Sequence, residues 1–200
     1  MKILPKVILG ALMVVTGATG QVRAQADGVS ESPDGPEAVK VYYTQAEALE
    51  KAFAGADSTW VETWQPSSAE LALLEARLGW QVPTGPVEIH RGRRGRQDLG
   101  YAVITEENGR FKPITFLVKV GPEGRVSLVL VMVYRESRGD GVKRQRFLKQ
   151  FQRKDAASPL RLNRDIVGVS GATLSSRGVT AGVKRVLAMV EVRYGAGGGR

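Results

Sequence analysis

The nine residues Val126-Ser127-Leu128-Val129-Leu130-Val131-Met132-Val133-Tyr134 constrain the fold more than any other stretch, being almost wholly apolar and rich in β-branched side chains. In an extended chain successive side chains point to opposite faces. Leu128, Leu130 and Met132 therefore face one way, and Val129, Val131 and Val133 the other. Neither set belongs in water, which predicts a central strand covered on both faces. The turn Gly121-Pro122-Glu123-Gly124 precedes it. Further upstream, Ile114, Phe116, Val118 and Val120 alternate along a second strand, and Leu99 to Thr105 has strand character. Asn108-Gly109 between those two is a type I′ hairpin signal. Three consecutive antiparallel strands follow from these patterns. Val142, Phe147, Leu148 and Phe151 offer a short amphipathic helical face, and Val179, Val183, Val186, Leu187 and Val190 recur at helical spacing as a longer core-facing stripe. The predicted class is α+β, an antiparallel sheet with packed helices.

Val169-Ser170-Gly171-Ala172-Thr173-Leu174-Ser175-Ser176 joins an extended segment to that long helix. Gly171 can adopt backbone angles closed to other residues and lets a ligand approach the main chain. Ser175 or Ser176 is expected to cap the helix, whose first N–H groups lack internal partners and whose dipole favours an anion. A phosphate fits such a place, with the Thr173 hydroxyl beside it. The bland alternative is an ordinary Ser/Gly turn. Four letters prove little, because Thr16-Gly17-Ala18-Thr19 repeats the pattern inside an apolar N-terminal run. Only the second copy stands at a strand-to-helix junction.

At Ser170-Gly171-Ala172-Thr173 the chain resembles the FMN-binding domain family, which includes the flavin-carrying subunits of the sodium-pumping NADH:quinone reductase and its ferredoxin-linked relative. Three further segments agree in order with that family. Tyr134-Arg135-Glu136-Ser137-Arg138-Gly139 stands where a strand ends in a Glu-Thr-Pro-Gly-type segment, though it lacks the Pro. Phe147-Leu148-Lys149-Gln150-Phe151 stands where a helix ends in a Phe/Gln/Phe pattern, and the long helix follows the loop. Val167 stands where family members commonly carry Asp. The resemblance implies that Thr173 carries FMN as a phosphoester, placed there from FAD by a separate magnesium-dependent flavin transferase. It also implies that Ser170, Gly171, Ala172, Leu174, Ser175 and Ser176 form the recognition loop, and that Glu136 and Ser137 touch the flavin or its ribityl chain. Read from the residues alone, 135–138 could equally be a solvated strand end.

Composition removes several chemistries. The chain has 200 residues and no Cys, so disulfides, thiolate metal sites and cysteine-held clusters are excluded. One His, His90, makes a His metal cluster or a Ser-His-Asp triad improbable. The net charge of +9 becomes +6 without residues 1–26, which hold Lys2, Lys6 and Arg23 and no acid. That balance favours acidic proteins or anionic headgroups through steering. Nucleic acid, the other usual partner of a basic chain, is set aside because the N-terminus reads as an export signal.

That signal comprises Lys2 and Lys6, the apolar run Val7 to Ala18 and the cleavage-site pattern Ala24-Gln25-Ala26. An uncleaved membrane anchor is the alternative. Residues 27–41 are expected to be a flexible leader, and 42–97 a small helical annex with a basic loop. The annex rests on the capping boxes Thr44-Gln45-Ala46-Glu47 and Ser67-Ser68-Ala69-Glu70. Trp60, Trp64 and Trp80 lie in it as a core edge or a stacking surface. Arg91-Gly92-Arg93-Arg94-Gly95-Arg96 is a solvated loop or a docking patch. Residues 98–194 are expected to form the FMN-binding domain that the resemblance implies, and 195–200 a disordered tail.

The function expected is an exported, periplasmic or membrane-associated flavoprotein electron carrier rather than a stand-alone enzyme. Its FMN would pass electrons between redox partner proteins, membrane-bound or acidic ones included. The alternative is a basic exported interaction module of the same fold without flavin.

Overall fold

Six strands among the described residues, 39–195 of a computed structural model, pair into one sheet. They are β1 (Lys40–Val41), β2 (Ser58–Trp64), β3 (Val87–Arg94), β4 (Gln97–Asn108), β5 (Pro113–Val120) and β6 (Val126–Tyr134). The order across the sheet is β1-β6-β5-β4-β3-β2, antiparallel throughout. Four helices accompany them: α1 (Gln45–Ala52), α2 (Ser68–Leu78), the short α3 (Gln145–Leu148) and α4 (Thr173–Tyr194). Two 3-10 turns, Asp140–Lys143 and Lys149–Phe151, flank α3. No helix of the described residues is long and apolar enough to cross a membrane. The expected signal segment, residues 27–38 of the leader and residues 196–200 of the tail lie outside the described residues.

The three strands expected from alternation are β4, β5 and β6, and β6 is buried on both faces. Val129 and Val131 join the larger core, which α2 and α4 complete, while Leu130 and Met132 join a smaller one beneath Ala48 and Ala52 of α1. β6 is not central, however. Among the described residues only the two-residue β1 lies beyond it, pairing Lys40 with Tyr134 and Val41 with Val133. The end of the expected leader is thus strand rather than free chain.

Residues 42–97 also differ from expectation. Both helices form at their capping boxes, with Thr44 and Ser67 accepting the Glu47 and Glu70 backbone N–H groups and the two carboxylates bonding back. Between and after them, however, β2 and β3 extend the same sheet. The basic run is therefore the end of β3 and its turn into β4, not a loop. Its Arg91 is drawn in by ion pairs to Glu62 and Asp98 and lies over the rings of Trp60, Tyr101 and Tyr194. Of the tryptophans, Trp64 is core, Trp60 lies half-buried beneath Arg91 and Arg93, and Trp80 is exposed.

The β4–β5 hairpin corrects another expectation. Asn108 pairs with Pro113, leaving a four-residue turn, and Gly109 is not among the glycines with positive φ that a type I′ turn requires. The turn is shaped by Glu136, whose Oε1 accepts the N–H groups of Arg110, Phe111 and Lys112 at 2.5, 2.8 and 3.2 Å. A Cβ on Gly109 would stand 2.5 Å from that oxygen.

Helix α4 lies close on the sheet because two residues of its inner face lack side chains. A Cβ on Gly178 would come within 2.5 Å of the Asn108 carbonyl oxygen, and one on Gly182 would strike the Phe116 ring. Alanine improves helix propensity by about 1 kcal/mol over glycine, but forcing a methyl into a full contact costs about 1–3 kcal/mol, here against backbone that cannot swing aside. We expect Gly178→Ala to destabilise the protein by about 1–2 kcal/mol net in urea denaturation. Equal or higher stability would show that the helix does not sit as close as this.

Candidate functional site

The end of β6 and the start of α4 are fastened together by buried hydroxyls. Tyr134 has no exposed surface, and its O–H donates to the Arg138 carbonyl at 2.7 Å. A carbonyl cannot donate and a phenol has one hydrogen, so in the 2.9 Å contact of Tyr134 with Ser175 the serine Oγ–H is the donor. Burial pushes the Tyr134 phenol up, against a smaller lowering by Ser175, and keeps it protonated near neutral pH. Next along the helix, the Ser176 Oγ accepts the Val169 N–H at 3.0 Å, and Thr180 Oγ1 donates to the Ser176 carbonyl at 2.7 Å.

These bonds overturn the expected cap. Helix α4 starts at Thr173, ahead of both serines, with Ala172 at the N-cap and no side-chain cap. Ser175 and Ser176 are buried in the first turn because their hydroxyls are drawn to Tyr134 and Val169. The first-turn N–H groups thus have no serine side chain closing over them. Gly171 has φ +74, the left-handed conformation expected of it, and Ser170, Gly171, Thr173 and Leu174 are exposed while Ala172 is buried.

Beside this loop lies a groove of about 490 Å³, between Gly141, Arg144, Arg146, Phe147 and Gln150 on one wall and Val167, Gly168, Val169 and Ser170 on the other. The size falls within the roughly 300–1,000 Å³ typical of small-molecule sites. Its walls are held together by one side chain. Gln150 Nε2 donates to the Val167 carbonyl at 3.1 Å while its Oε1 accepts the Val167 N–H at 2.8 Å, so the amide imitates a neighbouring strand. Phe147 and Phe151, edge to face at 5.4 Å, anchor the same segment in the core. Val167 consequently shows 68% of its surface. Just before it, Asp165 accepts from the Arg161 side chain and backbone at 2.9 and 2.8 Å, which pulls its carboxyl down to about 2.

The other wall is tied to the N-terminal strand. Asp140 accepts from Lys40, Tyr42 and Lys143 at 3.3, 3.1 and 3.2 Å. Burial alone would raise its carboxyl, and the hydrogen bonds from Lys143, Tyr42 and Lys40 overcome this and hold it below the ordinary range. Arg144 and Arg146, on the same wall, are exposed.

Of the residues nominated from sequence, Ser170 lines the groove, Thr173 and Leu174 stand exposed just beyond it, and Ser175 and Ser176 serve as internal anchors. Glu136 and Ser137 do not line the groove, and the Glu136 carboxylate is engaged by the β4–β5 turn. Arg144 and Arg146 were not nominated. Their signal is the basic run Lys143-Arg144-Gln145-Arg146, which carries meaning only once the fold sets it opposite residues 167–170.

Fold and site together define an α+β domain with an open helix start beside an arginine-bearing groove. Residues 109–188 match the model of the FMN-binding domain family. The chain is 29% identical to a component of the proton-translocating ferredoxin:NAD(+) oxidoreductase complex of Clostridium ljungdahlii, over 53% of this chain and 61% of that protein's length. The crystal structure of Shewanella oneidensis NqrC is similar with a TM-score of 0.42 and 17% identity, covering 65% of this chain and 64% of that one. The residues present suit FMN: an exposed hydroxyl and open N–H groups for a phosphate, and a groove with an aromatic ring and two guanidiniums beside them.

The placement of Glu136 is open to test. Replacing it with Ala leaves the N–H groups of residues 110–112 without their shared carboxylate, which should cost about 2–3 kcal/mol of stability. FMN content per folded molecule should be unchanged. Loss of FMN from a variant of normal stability would instead place the carboxylate against the cofactor.

Proposed function

We propose that this protein is an exported electron carrier that holds FMN through a phosphoester to Thr173. The observation that carries this reading is the exposure of Thr173 at the uncapped start of a 22-residue helix, three residues beyond the groove-lining Ser170. In the attachment step a bond forms between Thr173 Oγ1 and the FMN phosphorus of FAD, and the bridging P–O bond breaks. AMP leaves with the electron pair, and the hydroxyl proton passes to solvent. A separate flavin transferase performs the step, with FAD as the donor.

When bound, FMN supplies the redox chemistry through its isoalloxazine ring. The chain's residues position and screen it. The first-turn N–H groups of α4 and the positive end of its dipole suit the phosphate. Phe147 offers an apolar ring in the groove wall, and Arg144 and Arg146 offer positive charge there. Gln150 keeps the facing wall in place through Val167. Export rests on the pattern of residues 1–26, with redox proteins outside the cytoplasm as donors and acceptors. The clostridial relative, which belongs to a ferredoxin:NAD(+) oxidoreductase complex, supports such partners, membrane-bound ones included.

The test is intact mass after coexpression with a flavin transferase. The natural chain should gain the mass of one FMN less water, and Thr173→Val, which keeps the branched shape without the oxygen, should gain nothing. Ser175→Ala should stay flavinylated and lose about 1 kcal/mol of stability through its bond to Tyr134. A Thr173→Val protein that still carries the increment would overturn the assignment. A natural chain with no increment would leave the fold as an interaction module.

A further inference from the structure

At the edge of the sheet opposite the groove, β2 runs for seven residues, and no strand lies beyond it among the described residues. Proteins usually guard such an edge with lysine, proline, a bulge or brevity. The β1 edge follows that rule, having two residues and Lys40. β2 has none of these devices: it pairs with β3 without a register break from Ser58–Arg93 to Trp64–Val87 and contains neither Lys nor Pro. Its one charged residue, Glu62, points inward, which is a further guard in other sheets, but here its carboxylate is already met within the chain by Arg91, Trp60 and Tyr194.

One face of this edge has the same order of residues in both directions. Thr59, Val61 and Thr63 occupy one face, all exposed, with Val61 at 51%. Antiparallel pairing of two such strands about Val61 sets Val61 on Val61 and each Thr59 opposite a Thr63, matched pairs of the kind that stabilise sheets. On the other face it sets each Glu62 opposite a Trp60.

We infer that β2 binds a second copy of this chain, strand to strand about a two-fold axis at Val61. The interface is isologous, so each copy contributes the same patch and the assembly closes at two. Because the groove lies at the β6 edge, both grooves stay open at the far ends of the joined sheet. The inference does not depend on the flavin.

The absence of Cys makes the test clean, since any introduced cysteine is the only one. Directly opposed residues of antiparallel strands lie about 4.5–5.5 Å apart at Cα, within disulfide reach. Under mild oxidation Val61→Cys should cross-link to itself at least about tenfold faster than Phe111→Cys, an exposed control, because pairing raises the effective concentration. Thr59→Cys alone should be slow, and a mixture of Thr59→Cys with Thr63→Cys should be fast. In sedimentation the full chain should reach twice its monomer mass, and Val61→Lys, with like charges face to face, should stay monomeric with an unchanged circular dichroism spectrum. A full chain that is monomeric at its highest soluble concentration, with Val61→Cys no faster than Phe111→Cys, overturns the inference. Cross-linking that is fast at all three positions alone overturns the register.

Discussion

The Tyr134 hydroxyl decides where the helix start can be. It donates to the Arg138 carbonyl and accepts from Ser175, so the chain leaving β6 and the chain entering α4 share one buried oxygen. Each bond contributes only about 1 kcal/mol net, but removing the hydroxyl strands two polar groups in a dry place, at about 1–3 kcal/mol each. The close contacts of Gly178 and Gly182 then set the depth of α4 on the sheet. Fastened at its first turn and seated along its length, the helix has little freedom to move Thr173.

The same fastening sorts the loop into two kinds of residue. Ala172, Ser175 and Ser176 are buried and hold, while Ser170, Gly171, Thr173 and Leu174 are exposed and available. Around them the charge is lopsided. Arg138, Lys143, Arg144, Arg146 and Lys149 face a single acid in that stretch, Asp140, and Asp140 is already engaged by Lys40, Tyr42 and Lys143. The dipole of α4 adds about 0.3–1 kcal/mol for an anion at its first turn. Charges beyond about 8 Å are largely screened at physiological salt. The local arrangement, rather than the overall net charge, is therefore what would favour an anion there.

Much of this was legible in the sequence where one physical signal dominated. Alternation placed β4 to β6, and both capping boxes marked real helix starts. The errors arose where a distant side chain overrode a local pattern. Asn108-Gly109 suggested a tight hairpin, but Glu136, 27 residues away along the chain from Gly109, gathers three N–H groups and widens the turn. The arginine run suggested a loop, because Glu62, Trp60 and Tyr194, which help accommodate Arg91 on a strand, are remote in sequence. Ser175 and Ser176 had the composition of a cap, and nothing local reveals that Tyr134 and Val169 claim their hydroxyls. The groove was invisible for the same reason, since its walls come from separate segments that meet through Gln150 and Val167 and through the core.

This division explains why the motif at 170–173 and its copy at 16–19 are not equivalent, a distinction the four letters cannot make. At 170–173 the two residues after Leu174 are serines whose small hydroxyl side chains fit beneath the first turn and bond to Tyr134 and Val169. Aligning Thr19 with Thr173 puts Gln21 and Val22 where those serines stand. Valine offers no hydrogen bond, and a glutamine is too long for the space a buried serine fills. The Gly-Ala-Thr is shared, with Thr16 in place of Ser170 and Gly20 in place of Leu174, but the two serines are missing. What distinguishes the motif at 170–173 is therefore this pair of anchors behind Thr173.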